Sequence, residues 1–133
     1  MAEGLTTVQS HFGPKETLDR LESDVKAKGL TVFARIDHAA GATAVGLSLL
    51  PTAVLIFGNA RGGTPLMQSN QLIGIELPLK VLVWQDTSGK TWLSYVEPTD
   101  LAKRYGLPTE TATAVNNLAG ALRALTANAA GAQ

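Results

Sequence analysis

The run Leu77–Gln85, LPLKVLVWQ, is followed after Asp86-Thr87-Ser88-Gly89 by a second run, Thr91–Val96, TWLSYV. Two apolar, β-branched and aromatic runs joined by so short a polar link form a hairpin, and parallel pairing would need a long crossover. Successive side chains on a strand point to opposite faces. Val81, Val83, Leu93 and Tyr95 therefore share one face, while Lys80, Leu82, Trp84, Trp92, Ser94 and Val96 share the other. Thr52–Phe57 divides in the same way, with Ala53, Leu55 and Phe57 opposed to Val54 and Ile56. A sheet with one wet face alternates apolar and polar residues. Both faces here are apolar at the centre, so both have to be covered.

Two further strands and two long helices complete the pattern. Leu5–Ser10 reads as a strand closed by the Gly13-Pro14 turn, and Thr31–Asp37 as a strand in which Val32, Ala34 and Ile36 alternate with Phe33, Arg35 and Asp37. Between them Leu18, Leu21 and Val25 recur at helical spacing among charged residues, predicting a helix over 15–28 that ends before Gly29. The small-residue stretch from His38 through Leu49 reads as a short helix or a turn. A short helix is expected over 99–105, and a long one from Pro108 to about Ala127 with a fraying tail after it. The order strand, helix, four strands, helix predicts an α+β domain, an antiparallel sheet of about five strands carrying its long helices on one face.

The chain has 133 residues, enough for one core, and is read as a single domain, 1–133, with an ordered core over about 5–127. Apolar residues are 45% and charged residues 17%, which excludes a disordered chain. Eleven Lys and Arg balance eleven Asp and Glu, so the field that draws a protein to nucleic acid or anionic lipid is missing. Neither nucleic acid nor a membrane is an expected partner. Cysteine is absent, which removes disulfides and thiolate chemistry. The start, MAEGLTTVQSHFG, has neither the basic opening nor the apolar centre of a signal peptide, and a cytoplasmic location is expected.

Leu55–Leu66, LIFGNARGGTPL, concentrates the candidate chemistry. Thr64 has the side chain of a helix N-cap and Pro65 suits the first helical position, so a helix is expected from Pro65 to about Asn70. Asn59, Arg61 and the neighbouring glycines can then receive an anion beside that helix start, with Arg61 offering a two-pronged fork. The spacing is neither that of a P-loop nor that of a dinucleotide fingerprint, and the loop can equally be a structural corner. Lys80, packed among Pro78, Leu79, Val81 and Leu82, reads as a base or as a lysine paired with Glu76 or Glu97. His38 follows Asp37, yet neighbours on a strand face opposite ways, which favours a structural histidine over a dyad. His11 is the other histidine, and no metal-ligand spacing is present. Trp84, Trp92, Tyr95 and Phe57 could line a flat ligand or simply fill core and interface. No Gly-x-Ser-x-Gly elbow surrounds Ser48, Ser69 or Ser94.

FARIDHAAGA (33–42), LLPTAVLIFGNARGGTPLMQ (49–68), IELPLKVLVW (75–84) and WLSYVEPTDLAKRYGL (92–107) together resemble the family called domain of unknown function 302. The resemblance covers about residues 5–125. It implies a small α+β fold of the order given above and dimeric members, and it implies no established activity. The family positions matched are His38, Phe57, Gly58, Asn59, Gly63, Thr64, Leu79, Lys80, Trp84 and Tyr95; Ala60 departs, where many relatives carry proline.

Three functional readings follow. The first is a homodimer that binds a small polar or anionic ligand between the 58–65 loop and the sheet, with Asn59, Arg61 and Thr64 at its polar end and His38, Lys80 and Tyr95 as further lining. The second is an enzyme with His38 and Lys80 as an acid–base pair. The third is an interaction module whose dimer consumes the apolar face. The second face is expected to be covered by another copy of the chain, the alternative being the chain's own 58–77 excursion. The sequence identifies no cofactor.

Overall fold

The expected hairpin lies inside a five-stranded sheet. In the computed structural model, which describes residues 3–132, the strands are β1 (Leu5–Ser10), β2 (Thr31–Asp37), β3 (Thr52–Gly58), β4 (Leu79–Gln85) and β5 (Thr91–Val96). All neighbours are antiparallel, in the order β1-β5-β4-β3-β2. The helices are α1 (Pro14–Ala27), α2 (His38–Ala44), α3 (Ala60–Ser69), α4 (Pro98–Arg104) and α5 (Ala112–Ala130), with 3₁₀ turns at Gln71–Glu76 and Thr109–Thr111. This is the α+β class read from the pattern of the chain.

The core lies between α1, α5 and one face of the sheet. Leu18, Leu21 and Val25 of α1 and Leu122, Leu125 and Ala129 of α5 meet Leu55, Phe57, Val81, Val83 and Leu93. Each large side chain removed from water contributes about 1.5–3 kcal/mol, which is why the amphipathic faces of α1 and α5 turn inward. Arg35, beside this layer on β2, holds Asp19 and Glu22 of α1 at 2.8 Å each. The guanidinium keeps the Glu22 carboxyl below its ordinary range, with Lys26 helping. Lys15 and Arg35 do the same for Asp19.

The segment after β2 is helical at α2, because the Asp37 carboxylate accepts the Ala40 N–H at 2.9 Å and caps the helix. The C-terminal helix continues past Ala127 to Ala130, with Ala129 and Ala130 buried. Its final carbonyls are satisfied by other elements. His11 N–H donates to Ala130, and Arg20, stacked 4.3 Å from the Phe12 ring, donates to Asn128 and Ala129. Gly131, at φ +83°, turns the chain beneath Phe12, where an added Cβ would lie 2.7 Å from the ring. Of the expected fraying tail, Gln133 lies outside the described residues, as do Met1 and Ala2 at the other end.

The 58–77 excursion does not cover the second face of the sheet. Leu66 and Ile73 bury themselves against Leu101 of α4 and Val115 of α5, on the helical side. The second face keeps Val54, Ile56, Leu82, Trp84 and Trp92 half-buried and Ile36 41% exposed, while Val96 at its end packs against the Leu66–Ile73 cluster.

Candidate functional site

Where β3 leaves the sheet, Gly58 is followed by Asn59, and the helix begins there rather than at Thr64. The Asn59 side chain accepts the Gly62 N–H at 2.7 Å, making Asn59 the N-cap of α3. The expected cap at Thr64 is thus corrected: Asn59 reaches a free backbone donor first, and helix forms through both glycines. Thr64 is an exposed residue inside α3. Pro65 is also interior, where its missing N–H costs the bond to the Arg61 carbonyl.

A cavity of about 280 Å³ opens beside this cap. Its floor is Leu77, Pro78 and Leu79, and its far wall is Leu118 and Ala121 of α5. Gly63 and Met67, one turn apart on α3, line the near wall, with Gly74 of the 3₁₀ turn beside them. The glycines leave the room: a Cβ on Gly63 would lie 3.3 Å from Leu77 Cδ1, and one on Gly74 would lie 3.2 Å from Met67 Sδ. Phe33 reaches the mouth through a β-bulge. The β2–β3 register slips between Val32 and Ala34, so Phe33 has no partner and is 57% exposed at the cavity's edge.

The wall carrying Gly74 is fixed from outside. Asn70 accepts the Leu72 N–H and donates to the Tyr105 carbonyl at 2.8 Å. The Tyr105 hydroxyl donates to Glu76 at 2.6 Å, and this bond to a carboxylate pushes the phenol above its ordinary value. Among the described residues lining the cavity, Asn59 alone has a polar side chain.

Of the six residues singled out from the sequence, Asn59 lines this cavity; Arg61 and Thr64 are exposed on the following turns of α3. Tyr95 lies in the core at 4% exposure, its phenol held above its ordinary value by burial and then by the nearby Glu97 charge. Lys80 is exposed on the second face of the sheet and donates to the Glu76 and Pro78 carbonyls at 3.0 and 3.3 Å. His38 is exposed at the start of α2. Lys80 is in register with Ile56 and through it with Ala34, whereas His38 follows Asp37, two strands across and four residues along, roughly 15 Å away. The two do not converge, so the acid–base pair expected under the second reading does not form. Asp37 is committed to capping α2 and leaves His38 without a carboxylate partner from its neighbour.

The aromatic set also divides. Phe57 and Tyr95 are core, while Trp84 and Trp92 stack at 6.2 Å on the open face. Trp84 Nε1 donates to Ser94, which bonds Thr7 across the sheet, and Trp92 Nε1 donates to Asp86 in the hairpin turn. Phe33, Met67, Leu118 and Ala121 were missed as cavity residues because each also reads as ordinary core. The closeness of Gly58, Gly62 and Gly63 was the legible part of the signal.

Comparison with known proteins places this geometry in a family. The chain is 42% identical over 128 residues to the fluoride-specific ion channel FluC 1 of Brucella suis biovar 1, covering 96% of this chain and 50% of that protein. It is equally similar to FluC 1 of Brucella abortus biovar 1, covering 47% of it. The chain thus spans about half the length of these relatives, and among its described residues no helix is long and apolar enough to cross a membrane. Among solved structures, an uncharacterized conserved protein DUF302 from Bacillus stearothermophilus superposes with a TM-score of 0.77 at 26% identity, over 98% of both chains. The family described as domain of unknown function DUF302 matches residues 6–125, and the chain belongs to it.

Proposed function

We propose that this domain binds a small, mainly apolar molecule in the cavity at the end of the sheet, with the ligand's polar end at Asn59. The observation that carries the reading is the cavity itself. It is partly enclosed, and its lining is apolar except at Asn59. A space of about 280 Å³ is well above the ~150 Å³ that holds a benzene and close to the ~300 Å³ where ligand pockets begin. The apolar walls favour an apolar body. The Asn59 amide offers a hydrogen bond to one oxygen at the ligand's polar end. Catalysis is no part of this reading, and the cytoplasmic setting expected from the sequence is carried with it.

The channel activity of the Brucella proteins is not transferred to this chain.

A homodimer completes the reading, supported by the half-buried Trp84, Leu82, Val54 and Ile56 on the open face of a chain with zero formal charge. Native mass spectrometry of gently purified protein tests both parts. A dimer with added small-molecule mass is the expected result. A monomer overturns the dimer; a dimer that carries no added mass even after incubation with neutral aromatic probes overturns the ligand.

A further inference from the structure

Residues 38–60 contain no Asp, Glu, Lys or Arg. The first part of this stretch stands away from the core. Helix α2 has no buried residue, and the arm after it exposes Val45 at 72%, Leu47 at 65%, Leu49 at 49% and Leu50 at 46%. Four large apolar side chains within six residues are far from the isolated exposed leucine that any surface carries. The arm nevertheless has a defined conformation. Leu47 N–H donates to Ala42 at 2.9 Å, and the Thr52 hydroxyl returns to the Leu50 carbonyl at 2.8 Å.

The same chain has a second unpartnered apolar surface, the open sheet face around Ile36, Val54, Leu82 and Trp84. Lys80, at one corner, is the ionised side chain that the strands place on it. The arm carries no charge and the face carries it only at its ends, at Lys80 and at the Asp86 carboxylate bonded to Trp92, and neither surface covers the other within one chain. A two-fold axis lets residue i of one protomer meet residue j of its partner while j meets i. It can therefore cover both surfaces at once. A stable interface removes on the order of 800 Å² from each partner, and the four arm side chains, 46–72% exposed, with the half-buried face are the apolar surface the chain offers to it.

We propose that in the homodimer the 45–50 arm of each protomer lies across the open sheet face of its partner. The inference rests on the dimer reading above and names the segment that makes the interface. Leu47→Ser combined with Leu49→Ser tests it, because both residues are exposed and their loss leaves the core intact. Sedimentation equilibrium over a concentration series should give a dimer for the wild type and a dissociation constant raised at least 100-fold for the double variant. Emission of Trp84 and Trp92 should move to longer wavelength in the variant as the face becomes wet. Circular dichroism unchanged from the wild type establishes that the variant is folded; if it does not fold, Val45→Ser alone is read in the same way.

Dimerisation of the arm variant at wild-type strength, together with its loss in Leu82→Lys, would leave the dimer standing and overturn the role of the arm. A wild type that is monomeric throughout overturns both. A monomer that floats with phosphatidylcholine vesicles also overturns the proposal and makes a lipid surface the occupant.

Discussion

At the scale of single residues, Asn59 has two parts: it caps α3 and supplies the polar group of an otherwise apolar cavity. Removing an N-cap side chain costs about 1 kcal/mol, whereas an exposed surface substitution stays within about 0.5 kcal/mol. Urea denaturation should therefore show Asn59→Ala destabilised by about 1 kcal/mol and Thr64→Ala nearly unchanged. The reverse order would restore the helix start to Thr64. The sequence made Thr64-Pro65 look like a helix start because Thr and Pro are common there. What decided the matter was a tertiary feature that no local pattern contains: β3 stops at Gly58 and presents Asn59 directly to the Gly62 N–H. His38 and Lys80 illustrate the same limit. Their residue types were legible, but their separation depends on strand order and register, and the order β4-β3-β2 places a strand between them.

At the scale of elements, the β4–β5 hairpin was the most readable part, because period-two alternation and a polar glycine turn agree on one structure. The turn is held by Asp86. Its carboxylate accepts the Trp92 indole N–H at 2.8 Å and the backbone N–H groups of Ser88 and Lys90 at 2.9 and 3.0 Å. The indole bond above all, and then the Lys90 amide, lowers the Asp86 pKa below its ordinary value. A carboxyl whose folded pKa is depressed stabilises the fold above its unfolded pKa, near ~3.9, and that stabilisation is lost as pH falls through the lower folded value. Acid titration followed by tryptophan emission should thus show a transition below the ordinary aspartate range in the wild type. In Asp86→Asn that transition should vanish; a persisting transition would assign the proton to another carboxyl. Helix α5 was legible in its apolar spacing, while its end was not. The tail beyond Ala127 is small and polar in composition, yet it is ordered by His11, Phe12 and Arg20, contacts more than a hundred residues away in the chain.

At the scale of the whole molecule, one sheet face builds the core with α1 and α5, and the other stays open. That both faces are apolar could be read from alternation alone. What covers the second could not, because the 58–77 excursion folds to the helical side through Leu66 and Ile73. The cavity was equally hidden, since a wall of glycine, alanine and leucine differs from core only by the volume left unfilled. Ala121 offers direct access to that volume from α5, on the side opposite Asn59. Fluorescence titration with the neutral probe N-phenyl-1-naphthylamine, run in parallel on the wild type and Ala121→Leu, therefore tests the ligand reading most directly. Saturable binding by the wild type, with at least tenfold weaker binding by an equally folded Ala121→Leu, is the expected result. Binding of equal strength in both proteins, or in neither, would contradict a ligand site in this cavity.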